Sequence, residues 1–140
     1  MPENTKKRVL IIDDDPQYMK TIREWLKDDY AVTMTISGEQ AFTWLKANKA
    51  DVILLDYELP VMPGPQIMEK LYDNEATRPI PVVILTGKND RESIMRIISM
   101  CPADYLLKNI GRAELLEKLA KVFHDHTYTK KAGNFYNYSR

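Results

Sequence analysis

The sequence has little of what marks a secreted, membrane-spanning or nucleic-acid-coating protein. It holds one cysteine, Cys101, so no internal disulfide can form and the chain suits a reducing compartment. It has no net charge: twenty Lys and Arg balance twenty Asp and Glu. No overall positive field therefore draws it to nucleic acid or to an anionic membrane, and neither contact is expected. No apolar run approaches the ~20 residues that cross a bilayer. The polar start, Met1 to Arg8, leads into Val9-Leu10-Ile11-Ile12, too short for a signal-peptide core and followed at once by acids. A cytoplasmic protein is expected. There are no internal repeats and no low-complexity stretch. What is present is a chain of 140 residues, 44% hydrophobic and 29% charged. That is the size and balance of one domain able to bury a core without metal or disulfides.

Three short apolar runs recur along the chain: Val9-Leu10-Ile11-Ile12, Val52-Ile53-Leu54-Leu55 and Val82-Val83-Ile84-Leu85. Continuous β-branched runs of this length suit strands buried on both faces of a parallel sheet. Tyr30, Val32, Met34 and Ile36 alternate with Ala31, Thr33 and Thr35, as a less buried edge strand would. Tyr105-Leu106-Leu107 reads as a second edge.

Helical spacing fills the gaps. Asp15-Pro16 offers an N-cap with proline behind it, followed by Tyr18, Met19, Ile22, Trp25 and Leu26. Ser37 with Gln40 makes a capping box ahead of Ala41, Trp44 and Leu45. Ile67, Met68 and Leu71 follow Gly64. Asn89 with Glu92 marks a fourth start, carrying Ile94, Ile97, Ile98 and Cys101 until Pro102 stops it. Leu115, Leu116, Leu119, Val122 and Phe123 mark a fifth, with Gly111 as cap and Glu114 three residues on. Five strands alternating with five helices predict an α/β fold with a parallel sheet wrapped on both faces. Residues 1–125 are expected to form the domain. Residues 126–140, from which periodicity fades, are expected to form a tail or the start of a linker.

Ligands in such sheets bind beyond the carboxyl ends of the strands. Asp13, Asp14 and Asp15 follow the first strand, Asp56 ends the third, Thr86 and Gly87 the fourth, and Lys108 the fifth. Clustered carboxylates repel one another and call for a cation. Oxygen-only ligands favour Mg²⁺. A lysine, a hydroxyl and a backbone amide can then receive phosphoryl oxygens, and a carboxylate can be the nucleophile. Asp15 alone reads as a plain helix cap. His124 and His126, two residues apart, do not share a helix face and are not expected to bind metal. Asn137-Tyr138-Ser139 matches a glycosylation sequon by chance. Trp25 and Trp44 read as packing residues, and Met95 and Met100 as exposed partner surface or as ordinary packing.

From Arg8 to His124 the chain resembles the receiver domain of two-component response regulators. Four stretches carry the resemblance in order: Val9 to Pro16, Val52 to Gly64 (including Asp56-Tyr57-Glu58-Leu59-Pro60-Val61-Met62-Pro63-Gly64), Val82 to Gly87, and Tyr105-Leu106-Leu107-Lys108. The resemblance implies a doubly wound, flavodoxin-like sheet of strand order 2-1-3-4-5. It implies that Asp56 takes a phosphoryl group from a phosphohistidine of a sensor kinase or phosphotransfer protein. Mg²⁺ would be held by Asp14, Asp56 and the backbone carbonyl of Glu58, and by Asp13 through water. Lys108 would pair with the phosphoryl group. Thr86 would contact it after modification, and Tyr105 would turn inward as the switch. Glu58 and Lys88 would tune phosphoryl lifetime, as an ion pair screening Asp56 or as two solvated charges. No other cofactor is implied, and no enzymatic turnover beyond the domain's own phosphorylation and dephosphorylation. A downstream protein or effector domain would read the helix 4–strand 5–helix 5 face, which is also a possible homodimer surface.

Three positions depart from the family. Asn109 stands where a proline, often cis, usually follows the lysine. A cis bond without proline costs ~3–4 kcal/mol, so a trans and differently shaped loop is expected. Cys101-Pro102-Ala103-Asp104 replaces the usual Gly-Ala, and Pro63 replaces a polar residue. Two other functions compete. A Mg²⁺-dependent aspartyl phosphohydrolase would use Asp-x-Asp after the first strand, which Asp13-Asp14-Asp15 contains, but the chain has no room for a cap domain. A phosphorylation-independent pseudo-receiver would explain Asn109. No helix-turn-helix follows the domain, so the output is expected elsewhere.

Overall fold

A computed structural model describes residues 6–132, with side chains through residue 126. The elements alternate along the chain: β1 (Lys7–Ile12), α1 (Pro16–Leu26), β2 (Tyr30–Thr35), α2 (Gly38–Ala47), β3 (Val52–Asp56), α3 (Gly64–Asp73), β4 (Val82–Thr86), α4 (Arg91–Ser99), β5 (Asp104–Leu107) and α5 (Arg112–Ala132). The strands form one parallel sheet in the order β2-β1-β3-β4-β5. This is the expected doubly wound α/β fold.

The continuous apolar runs are explained by burial on both faces. In β1, Val9 and Ile11 face one core cluster while Leu10 and Ile12 face the other. Val52 and Leu54 of β3, Val83 and Leu85 of β4, and Leu106 of β5 join the first cluster. There they meet Met19, Ile22 and Leu26 of α1 and Leu115, Leu119 and Val122 of α5. Ile53, Leu55, Val82 and Ile84 join the second, against Ala41 of α2, Ile67, Met68 and Leu71 of α3, and Ile97 of α4. A fully buried side chain of this kind contributes ~1.5–3 kcal/mol over exposure, so both faces are strongly specified. At the β2 edge the apolar face thins out. Tyr30 and Val32 pack on the first cluster, but Met34 and Ile36 are 40% and 56% exposed.

The caps follow the sequence with one correction. Asp15 Oδ1 accepts from the N–H groups of Gln17 and Tyr18 at the start of α1. Ser37 Oγ accepts from Gln40 N–H, and Gln40 Oε1 reaches back to Ile36 N–H, one residue before the cap. Helix α4 is capped by Asp90, which accepts from Ser93 N–H at 3.0 Å, rather than by Asn89 with Glu92. Both pairs have the same spacing, and the burial of Ser93 selects the later one. The same helix ends at Ser99, short of Cys101. Cys101 takes the left-handed conformation, φ 55°, and reverses the chain before Pro102. Met100 is only partly exposed and packs on the second cluster, so the exposed apolar pair on α4 is Met95 with Ile98, at 54% and 50%. The backbone of α5 stays helical to Ala132, past residue 126. The side chains of Tyr128, Phe135, Tyr136 and Tyr138, and the sequon at Asn137, lie outside those described.

Candidate functional site

The register builds the site. Ile12 of β1 pairs with Leu55 of β3, so Asp13 stands one step beyond, level with Asp56. Thr86 pairs with Leu107, so Lys108 emerges beside the end of β4. All the sequence-selected strand-end residues therefore gather at the carboxyl edge of the sheet.

One device recurs at three strand ends: a side chain accepts the N–H two residues further on. Asp13 Oδ1 accepts from Asp15 N–H at 2.9 Å, Asp56 Oδ1 from Glu58 N–H at 3.0 Å, and Thr86 Oγ1 from Lys88 N–H at 3.0 Å. Each bond fixes its side chain and the loop behind it. For the aspartates it leaves Oδ2 for other work. For Thr86 it uses a lone pair and leaves the hydroxyl proton available to donate.

Lys108 takes up both remaining carboxylate oxygens. Its Nζ lies 2.9 Å from Asp13 Oδ2 and 3.3 Å from Asp56 Oδ2, with both carboxylates almost fully buried. The contact with Asp13 Oδ2 is one of charge, since no well-aligned hydrogen bond reaches that buried atom. Burial pulls the Lys108 ammonium down, but the close Asp13 contact and the Asp56 and Asp13 charges outweigh it and leave its pKa raised. Asp56 is pushed up, first by burial and then by the Asp13 charge, against the opposing Glu58 N–H and Lys108.

Asn109 does not displace the lysine. Among the described residues every peptide is trans. Ile110 N–H donates to Leu107 O at 3.1 Å, closing a turn with Lys108 and Asn109 at its centre. Asn109 keeps a negative φ in this turn, a conformation open to most residues. Lys108 N–H donates to Thr86 O at 2.9 Å, which anchors the lysine to β4.

Gly64 accounts for the Pro-Gly after Met62. Its N–H donates to Tyr57 O at 3.1 Å. A Cβ at Gly64 would lie 2.8 Å from Tyr57 Cα and 3.0 Å from Asp56 O. Helix α3 thus starts against the backbone of the acidic loop, where only glycine fits.

One carboxylate oxygen from each of Asp13, Asp14 and Asp56 lies within 4.8 Å of the others. Asp14 is exposed while its two neighbours are buried. Three carboxylates against one ammonium leave an excess of negative charge, and an oxygen-only donor set suits a hard divalent cation. The residues present therefore fit Mg²⁺.

Thr86 is buried and Tyr105 half-buried, packed on the second cluster. Glu58 and Lys88 are both exposed, and no ion pair joins them among the described residues. The screening pair considered from the sequence is absent, and the solvated alternative is what is found. Tyr18, which the α1 spacing marks only as packing, enters the site. Its ring centroid lies 4.8 Å from Lys108 Nζ. The signal for it was its place in the first turn of a helix that begins at the acidic edge.

Known proteins share this fold. The model of the response regulator receiver domain matches residues 9–120. The sensor histidine kinase TmoS of Ectopseudomonas mendocina is 28% identical over 120 residues, covering 86% of this chain and 12% of the kinase. The two-component response regulator ARR18 of Arabidopsis thaliana is 32% identical over 77% of this chain and 17% of its own length. The chain thus spans a small part of each of these relatives. Chemotaxis protein CheY4 of Vibrio cholerae superposes with a TM-score of 0.78 at 24% identity, over 84% of this chain and 99% of that one. The receiver domain of sensor histidine kinase PA1611 from Pseudomonas aeruginosa PAO1 was solved with a magnesium ion coordinated in its active site cleft. It superposes with a TM-score of 0.78 at 27% identity, over 86% of this chain and 99% of that one. Four ordered strand-end motifs, the 2-1-3-4-5 sheet and the matched span lead to one conclusion: the chain belongs to the response regulator receiver family, a class of phosphoacceptor signalling domains.

Proposed function

We propose that Asp56 accepts a phosphoryl group from the phosphohistidine of a sensor histidine kinase or phosphotransfer protein, with Mg²⁺ at the acidic cluster. The observation that carries this reading is the meeting of Asp13, Asp14 and Asp56 at one edge with Lys108 Nζ between two of them.

Asp56 Oδ2 is the attacking atom, since Oδ1 is occupied by Glu58 N–H. An O–P bond forms, the P–N bond to the imidazole breaks, and its electron pair returns to the ring nitrogen. The product is an acyl phosphate on Asp56. Bound Mg²⁺ would supply positive charge to the phosphoryl oxygens, held by Asp14, Asp56 and the Glu58 carbonyl, with Asp13 acting through water. Lys108 stays at the site as Asp56 loses its own charge to the new group, and receives a phosphoryl oxygen. Thr86 donates its hydroxyl proton to another. Tyr105 then turns toward the threonine, and the α4–β5–α5 surface changes for a downstream protein, an effector domain or a second copy. Exposed Met95 and Ile98 belong to that surface. Solvated Glu58 and Lys88 flank the site and govern how readily water reaches the acyl phosphate.

The domain performs no turnover on outside substrates beyond its own phosphorylation and dephosphorylation, and acts in the cytoplasm. In support, no helix among the described residues is long and apolar enough to cross a membrane. The placement of Lys108 removes the main argument for a phosphorylation-independent module.

The test is incubation with Mg²⁺ and a small-molecule phosphodonor, read by intact mass with Asp56→Ala beside it. One phosphoryl adduct that needs both Mg²⁺ and Asp56 is the expected result. Repeated turnover of a phosphate ester would favour a hydrolase instead. No adduct from a protein that binds Mg²⁺ would favour the pseudo-receiver.

A further inference from the structure

Lys108 has three neighbours that bear on its charge, and only two are acids. The third is Tyr18, with its ring centroid 4.8 Å from Nζ. An ammonium this close to an aromatic ring, within ~6 Å of its centroid, is attracted to the negative face, most strongly where water is scarce. About a quarter of the lysine side chain is exposed, 24%, so the site is largely dry.

Tyr18 is held independently of Lys108. Asp15 accepts its N–H at 3.3 Å, proline at position 16 starts the helix, and the ring packs against the first core cluster. Its hydroxyl is buried and finds no hydrogen-bond partner among the described residues. Burial pushes the phenol up to about 12, with Asp13 and Asp56 adding to the rise and Lys108 opposing it. The ring therefore stays neutral across the working range and offers the ammonium only its face.

Lys108 needs such a support. It sits in a two-residue turn, beside Asn109, which does not fix its own φ as proline would. Its side chain is flexible and its two acidic partners compete, at 2.9 and 3.3 Å. We propose that Tyr18 is a positioning residue whose ring face holds the Lys108 ammonium at the Asp13–Asp56 pair. The kinetic consequence rests on the phosphoacceptor reading above; the contact itself does not.

Two measurements on the full chain separate those dependencies. The first is NMR of Lys108 side-chain methylenes in the metal-free protein, comparing wild type, Tyr18→Phe and Tyr18→Leu. Distinct, slowly averaging Cε protons should persist in wild type and Tyr18→Phe and collapse to an averaged signal in Tyr18→Leu. The second is the phosphorylation rate with a small-molecule donor. Tyr18→Leu should slow it roughly tenfold, within the range that misplacement of a reacting group produces. Tyr18→Phe should restore it to within about twofold, because the ring suffices. In a Lys108→Ala background Tyr18→Leu should change nothing further, which a loss of general stability would not reproduce. Equal slowing with and without Lys108, or a Tyr18→Phe protein as slow as Tyr18→Leu, overturns the proposal. So do methylenes that remain distinct in Tyr18→Leu. A wild-type protein that takes no phosphoryl group sinks the functional reading, and the NMR comparison still decides the contact.

Discussion

The two faces of the sheet carry different work. Side chains alternate along a strand, and continuing that alternation past the strand ends sorts the site. Val9 and Ile11 face α1 and α5, and Asp13 falls on the same side. Val52 and Leu54 do the same for Asp56, and Leu106 for Lys108. Tyr18 approaches from α1 on that face too. Thr86 follows the other parity, with Val82 and Ile84, and Tyr105 packs on that second face with α4. Charge chemistry is thus gathered on the α1–α5 side, and the pair proposed as the switch lies on the α2–α3–α4 side. The strand ends are where the two meet. A group added at Asp56 can be felt across the sheet only through an atom reaching over that edge, and the free proton of the Thr86 hydroxyl is suited to do so.

Substitutions on the two faces should therefore separate acquisition of the phosphoryl group from its consequences. The largest effect belongs to the first face. Lys108→Ala should slow phosphorylation by about 10²–10³-fold, as loss of one preorganised charge donor does, read as adduct formation over time. Thr86→Ala should leave that rate within about threefold while removing the movement of Tyr105, followed by fluorine NMR of a fluorotyrosine at that position. A slow Thr86→Ala would break the division. Mg²⁺ at about a hundred times its Kd should stabilise the domain by ~2.7 kcal/mol in chemical denaturation, and Asp14→Ala should lose most of that gain. Gly64→Ala, which forces a Cβ onto the acidic loop, should cost about 1–3 kcal/mol, seen as a lower denaturation midpoint.

The pH response should differ as well. Folding raises the Asp56 pKa, so the folded state favours the protonated form. That contribution is full below the ordinary carboxylate value and is lost as pH rises through the raised one. At neutral pH without metal, the ionised Asp56 costs stability, and Asp56→Asn should be at least as stable as wild type in chemical denaturation. Tyr18 follows the same sign at the other end of the scale. Its contribution holds below the ordinary phenol value of 10.0 and is lost as pH rises through about 12. A pH series of urea melts, with Tyr18→Phe lacking the alkaline loss, checks it. The smallest effect lies on the second face. Cys101→Gly should gain about 0.5–1 kcal/mol by relieving a left-handed φ of 55°.

Much of this was legible because buried parallel strands write themselves as unbroken apolar runs, and the chemistry follows each run directly. Val9–Ile12 and Val52–Leu55 locate Asp13 and Asp56 from the sequence alone. Partners that meet through space were less legible. Tyr18 has the spacing of a core residue and also that role, and only the turn after β5 brings Lys108 to its ring. Asp90 is hidden by an equally good pattern one residue earlier, and the burial of Ser93 beside exposed Glu92 marks the difference. The absent Glu58–Lys88 pair shows the converse. Two opposite charges flanking one site need not meet when each is better solvated by water.

The distance along the chain between Asp13 and Lys108 has a consequence for biosynthesis. The first four strands leave the ribosome with all three carboxylates and without the ammonium that separates two of them. Until β5 has emerged and paired with β4, the acids repel one another at a common edge. The last strand therefore brings both the final backbone pairing and a cation that offsets this repulsion.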